Sequence, residues 1–264
     1  MKKYLVVGNP IDHSLSPKLH NYWIKKNNIN AFYEKKLISE ADIKSTISEV
    51  KEKKIDGLNV TVPFKKSVIP FLDELSLEAE ESQSVNTIYL HNEKVIGHNT
   101  DISGFELAIK YCKYNVNDKT ALILGAGGVV PSIIIALKKM GISKIFLSNR
   151  TKEKAKIIKT FFNNIEILEW GNVPKANMVI NATSLGLKEN DEVKLDFSEI
   201  GTNNFFYDVI YNQKETNFLK KAKNLGNRIE NGKMMFIYQA HQSFTIWHKL
   251  MPEINDEIIN LLDK

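Results

Sequence analysis

The chain has 264 residues, of which 43% are hydrophobic and 25% charged, a composition that can bury a core and excludes disordered, collagen-like and disulfide-framework classes. At 30.2 kDa it exceeds the usual size of one compact domain, so two are expected. The formal charge of +5 and a pI near 9.0 come largely from lysines scattered over predicted helix faces. That pattern disfavours nucleic acid, which needs basic tracts with interleaved aromatics, but it suits encounter with small anions.

Cys112 is the only cysteine, so no intramolecular disulfide and no cysteine-based zinc site can form; no metal is expected, and a reducing cytoplasm fits best. Residues 1–8 carry too short an apolar run for a signal peptide, and nothing elsewhere approaches a membrane span.

In chain order, residues 4–7 read as a buried strand closed by Gly8-Asn9-Pro10, and a helix should start near Pro17. Residues 31–36 read as a strand, and Ser39 with Asp42 forms an acidic capping box that opens a helix. Residues 57–62 form a further strand, Pro63 breaks it, and residues 65–72 resume a helical pattern. Residues 87–90 and 94–96 suggest an antiparallel hairpin at the sheet edge, followed by a helix from Ile102.

The second half alternates more regularly: strand 120–124, helix 131–140, strand 144–148, helix 152–162, then strands 165–169, 178–181 and 205–208. Helical stretches at 234–247 and 255–262 end the chain. The fold class expected is α/β in two domains. Residues 1–101 with 234–264 form a substrate domain on a mixed sheet; residues 102–233 form a doubly wound, Rossmann-like nucleotide domain.

Strand 120–124 runs directly into Gly125-Ala126-Gly127-Gly128, and a helix with Pro131 in its first turn follows. Glycines there allow a tight turn and close approach of backbone amides to a pyrophosphate. Val130 stands where a third glycine or alanine is usual. The next strand ends in Asn149-Arg150-Thr151, with Lys152 and Lys154 beyond, where an NAD site would place a carboxylate. Arg150 can bond a 2′-phosphate and flank the adenine, so NADP(H) is expected over NAD(H). Thr151 would serve equally as a helix N-cap.

Four further segments complete a set: Ser14-Leu15-Ser16-Pro17, Asn59-Val60-Thr61-Val62-Pro63-Phe64-Lys65, Val85-Asn86-Thr87 and Asn99-Thr100-Asp101. With the glycine loop, Asn149-Arg150-Thr151, the 181–186 and 208–212 segments and Gln239-Ala240, they resemble the shikimate dehydrogenase family over essentially the whole chain.

The resemblance implies NADPH-dependent, reversible reduction of 3-dehydroshikimate to shikimate, a step of chorismate and aromatic amino acid biosynthesis. It implies Lys65 and Asp101 as the catalytic pair. Ser14 and Ser16 would hold the substrate carboxylate, and Thr61, Asn86, Tyr211 and Gln239 would surround the ring with Lys65 and Asp101. It assigns Gly125, Ala126, Gly127, Gly128, Val129, Asn149, Arg150, Thr151, Lys154, Val209 and Gly232 to the cofactor, with substrate and nicotinamide meeting between the domains. A monomer or homodimer would suffice. Departures from the family pattern are Gln213 for a proline, Met234 for a glycine and Leu77 for an acidic residue.

Two other readings use the same residues: a quinate/shikimate dehydrogenase with broader substrate and cofactor range, and a catalytically silent ligand-binding homologue. Arg150 argues against the first, and the joint presence of Lys65 and Asp101 against the second.

Overall fold

The computed structural model describes residues 1–188 and 191–263. The chain divides into two compact units, Met1–Phe105 with Ile237–Lys264, and Glu106–Phe236.

The first unit begins with β1 (Lys2–Gly8), α1 (Ser16–Lys26), β2 (Ala31–Leu37), α2 (Ile43–Lys51) and β3 (Gly57–Val60). Then come β4 (Glu74–Leu75), α3 (Leu77–Ser82), β5 (Thr87–His91) and β6 (Lys94–His98). The sheet order is β2-β1-β3-β5-β6-β4. β1 pairs parallel to β2 and β3, whereas β3/β5 and β5/β6 are antiparallel, so the sheet is mixed as expected. Leu5, Val7, Leu58, Val60 and Ile88 from its central strands pack against Ile43, Ile47 and Val50 of α2. On the other face, His20, Trp23, Tyr33, Phe244 and Trp247 form a buried aromatic cluster.

The second unit carries β7 (Thr120–Leu124), α5 (Val130–Lys139), β8 (Lys144–Ser148), α6 (Lys152–Phe161) and β9 (Ile165–Leu168) after α4 (Asp101–Tyr111). It continues with β10 (Met178–Asn181), β11 (Phe205–Asp208), α7 (Asn217–Asn224) and β12 (Arg228–Glu230), before α8 (Lys233–His248) and α9 (Asp256–Leu261). Its sheet runs β12-β11-β10-β7-β8-β9, and every pair is parallel. β10 and β11 are buried along their whole length, which is why they read as continuous apolar runs rather than alternating ones. The division between the units falls inside α4 and α8, so no Gly-, Ser- or Pro-rich linker marks it.

The structure corrects several element expectations. Residues 65–72 form turns and a single 3-10 turn at Ile69–Phe71, not a helix, because Pro70, inside the segment, contributes no amide hydrogen to a continuous ladder. β3 stops at Val60 rather than at residue 62, with Pro63 just beyond. Ser39 and Asp42 do form the reciprocal capping box, but around the 3-10 turn Glu40–Asp42 that leads into α2. Helix α3, six residues long and capped by Ser76, carries too little apolar periodicity to be read locally; α7, capped by Thr216, is absent from the expected elements although Phe218, Leu219 and Ala222 line one buried face. Strands β4 and β12, of two and three residues, are too short to alternate.

Candidate functional site

In the first unit, four of the expected residues meet: Lys65, Asn86, Asp101 and Gln239. Thr61, just beyond β3, donates its backbone N–H to the Val7 carbonyl at 2.9 Å and accepts from Phe64 N at 3.0 Å, turning the chain so that Lys65 points inward. Lys65 is buried, and its Nζ lies 2.5 Å from Asp101 Oδ2, itself buried. The carboxylate stands in the first turn of α4, where the free amides of a helix start favour negative charge. Asn99 fixes it there: its side-chain oxygen accepts from the backbone N–H of Asp101 at 2.9 Å and of Ile102 at 3.2 Å.

Asn86 joins this pair. Its Oδ1 accepts from Thr100 N at 2.8 Å, which sets the amide's orientation, and its Nδ2 donates to Asp101 Oδ1 at 3.0 Å and lies 3.4 Å from Gln239 Oε1. One carboxylate oxygen therefore faces a cation and the other an amide. An ammonium held in this way can deliver a proton to a nearby oxygen and recover it.

Ser14 and Ser16 are adjacent through Ser14 Oγ, which accepts from Ser16 N at 3.3 Å. Ser16 is the first residue of α1, and Leu15, not Ser16, is the N-cap. Tyr211 belongs to the second unit, where its ring stacks on Phe236 with centroids 4.2 Å apart.

At the carboxyl end of the second sheet, Gly125 has φ +110° and a Cβ there would meet the Ala182 carbonyl oxygen at 2.7 Å, so only glycine turns the chain here without strain. Gly127 and Gly128 are exposed at the start of α5, and Ala126 and Val129 beside them are half-buried. Val130 is fully buried in the first turn of α5.

Asn149 donates to the Thr151 carbonyl at 2.7 Å and holds the β8–α6 turn; Thr151 is the N-cap residue but its side chain makes no capping bond. Lys152 pairs with Glu169. Arg150 and Lys154 are exposed, and among the described residues no carboxylate pairs with either. That leaves two cations at the end of β8 for an anionic group, and no carboxylate in the turn to repel it.

Val209 and Gly232 are locked together: a Cβ on Gly232 would lie 2.2 Å from the Val209 carbonyl oxygen, and Gly232 N donates to the Ile210 carbonyl at 3.0 Å. Gln213, which replaces the family's proline, donates to the Gly186 carbonyl at 2.7 Å and so ties its loop to residues 181–187 by a side-chain bond. Asp208, buried at the end of β11, is the anchor of the same loop pair. It accepts from Thr216 Oγ1 at 2.6 Å, Ile210 N at 3.1 Å and Asn181 Nδ2 at 3.1 Å. Burial still outweighs these bonds and pushes its carboxyl up to about 6.

Sequence reasoning missed Asp208 as a charged anchor, and it missed Thr87 and Ser243, buried hydroxyls behind Asn86. Ser243 left one faint signal, since Gln239, Ser243 and Trp247 recur every four residues and so share a helix face.

Comparison with known proteins places both units in one family. Residues 6–88 match the family model of the shikimate dehydrogenase substrate binding domain, and residues 106–188 match that of shikimate / quinate 5-dehydrogenase. A shikimate dehydrogenase (NADP(+)) from Pelagibacter ubique is 62% identical over 262 residues, 99% of either chain. Among solved structures, the shikimate dehydrogenase from Aquifex aeolicus superimposes with a TM-score of 0.90 at 36% identity, covering 100% of this chain and 98% of that one. The enzyme from Thermus thermophilus in complex with NADP(H) and shikimate gives a TM-score of 0.90 at 27% identity, covering 100% and 99%.

Proposed function

Because the chain belongs to the shikimate dehydrogenase family, we propose that it interconverts 3-dehydroshikimate and shikimate with NADP(H), using Lys65 and Asp101 at the reacting oxygen. The observation that carries the assignment of roles is the buried contact of 2.5 Å between Lys65 Nζ and Asp101 Oδ2, flanked by Asn86 and Gln239.

NADPH, when bound, supplies the hydride that reaches the ketone carbon. The carbonyl oxygen gains its proton from the Lys65 ammonium, which is left as the neutral amine; in the oxidative direction that amine takes the hydroxyl proton back. Asp101 holds Lys65 in place and accepts from the reacting hydroxyl. Asn86 and Gln239 present a donor and an acceptor to neighbouring ring hydroxyls, so an analogue lacking those groups leaves buried polar atoms unpaired. Ser14 and Ser16 offer hydroxyls to the ring carboxylate and Thr61 lines the same side; Tyr211, in the second unit, is assigned to the ring by the family resemblance alone.

Residues 1–101 with 234–264 hold the substrate in this reading, and residues 102–233 hold the cofactor. Gly125, Ala126, Gly127, Gly128 and Val129 cradle the pyrophosphate. Arg150 and Lys154 take the 2′-phosphate with Asn149 and Thr151, while Val209 and Gly232 back the nicotinamide. Arg150, with which no carboxylate pairs among the described residues, supports NADP(H) over NAD(H). The reading extends to a cytoplasmic enzyme acting as a monomer or homodimer; among the described residues no helix is long and apolar enough to cross a membrane.

The test is NADP+ reduction with shikimate as sole substrate, for the wild type and for Lys65→Ala. In this oxidative direction Lys65 is the proton acceptor, and losing it should lower kcat by about 10³-fold while KM changes little. A Lys65→Ala enzyme within a few-fold of wild type would overturn the role. Comparable kcat/KM with quinate, or a preference for NAD+, would move the chain to the broader quinate/shikimate class.

A further inference from the structure

Behind the Lys65–Asp101 pair lies a buried chain of uncharged polar groups. Tyr33 donates its hydroxyl to Asn59 Oδ1 at 2.7 Å. Asn59 Nδ2 in turn reaches the Asn86 carbonyl at 2.9 Å, Thr87 Oγ1 at 3.1 Å and Ser243 Oγ at 3.1 Å. Ser243 Oγ lies 2.8 Å from Thr87 Oγ1 and 3.3 Å from Thr100 Oγ1, and donates to the Gln239 carbonyl at 3.1 Å. Thr87 Oγ1 reaches Asn86 Oδ1 at 3.1 Å, and Asn86 completes the path to Asp101.

A serine within a helix commonly bonds the carbonyl four residues back, and that bond alone would mean nothing for activity. Here the same oxygen meets three further partners from other segments of the chain, and its side chain is fully buried at 0% exposure. Gln239 sits one helical turn before Ser243, on the same face of α8.

We propose that Ser243 is a positioning residue: it pins α8 to Asn59, Thr87 and Thr100 and so sets Gln239 and Asn86 relative to the Lys65–Asp101 pair. This rests on the assignment of that pair as catalytic. Helix α8 keeps other anchors without it. Trp247 Nε1 donates to the Ile88 carbonyl at 3.2 Å, and Ile237, Ala240 and Phe244 are fully buried. Removing the Ser243 hydroxyl therefore leaves the helix docked but takes away the polar tie that sets the Gln239 turn, and errors well below 1 Å at a catalytic group already reduce rate.

The experiment measures kcat, KM for shikimate, KM for NADP+ and melting temperature for the wild type, Ser243→Ala, Ser243→Cys, Thr87→Val, the Ser243→Ala/Thr87→Val double variant and Lys65→Ala. Ser243→Cys leaves no cavity, since sulfur is somewhat larger than the oxygen it replaces, but bonds only weakly, and so serves if the alanine variant folds poorly. Both Ser243 variants should lose about tenfold in kcat/KM for shikimate, with KM for NADP+ within about twofold of wild type. The double variant should be no worse than the poorer single one, since both cut one chain. Any of three results overturns the proposal: kcat/KM for shikimate unchanged in both Ser243 variants, an equal loss on the NADP+ side, or additive losses in the double variant. An active Lys65→Ala enzyme would instead remove the catalytic assignment beneath it.

Discussion

Asp208→Asn isolates the cost of one buried charge. The carboxyl is fully buried, and burial pushes its pKa up to about 6 from an ordinary 3.8 despite three hydrogen bonds. Between these values the folded chain holds more protons than the unfolded one, so stability falls as pH rises. The contribution is fully present below about pH 4, is lost through about pH 6, and stays lost above it. A rise of that size corresponds to about 3 kcal/mol in all, about half of it lost between pH 5 and pH 8.

Asparagine has the same shape and no charge to desolvate. Its oxygen can accept from Ile210 N and Asn181 Nδ2, and the Thr216 hydroxyl can turn to accept from the new amide. Native-state hydrogen exchange of the β10 and β11 amides at Val179, Ile180 and Phe206 reads the stability of the second unit directly. The stability of Asp208→Asn relative to wild type should rise by about 1–2 kcal/mol from pH 5 to pH 8. A difference that is flat with pH, or that falls, would refute the account of Asp208 as a charge held at a cost.

Arg150→Ala should lower the ratio of kcat/KM for NADP+ over NAD+ by roughly 10- to 100-fold, the worth of a charge-assisted phosphate contact, read by steady-state kinetics with both cofactors. Gly232→Ala drives a methyl against the Val209 carbonyl, so thermal unfolding should show a loss of about 1–3 kcal/mol, with KM for NADP+ raised. His20 is buried against Tyr33 with neither ring nitrogen bonded among the described residues, and burial, aided by His248, lowers its pKa to about 3. Because the unfolded chain binds the proton more readily, the first unit should lose about 3 kcal/mol as pH falls from 7 to 4, and His20→Leu should flatten that slope in acid unfolding curves.

Local chemistry carried most of the second unit. The apolar runs of β7, β10 and β11, the glycine turn at Gly125 and the cationic turn at Arg150 each depend on neighbours within a few residues, so a parallel sheet with an NADP-type end was readable directly. The helix expected at 65–72 fails for the same reason in reverse. Its spacing looks helical, but Pro70 withholds an amide from its middle and the segment is shaped by what it packs on.

The family resemblance pointed to Lys65, Asn86 and Asp101 as groups for proton transfer beside a polyhydroxylated ring, but the contact of Lys65 with Asp101 across 36 residues rests on sheet register. Asn59 pairs with Thr87 and Thr87 with His98, which brings the ends of three strands to one place and lets Asn86 and Thr100 bond across them. Ser243, 156 residues from Thr87, and Asp208, whose charge is costly only because the sheet buries it, acquire their meaning from that assembly alone. Composition and motif determined which chemistry this protein can do. Tertiary structure decided which groups share a dry site, because burial and long-range pairing arise only when distant segments are brought into register.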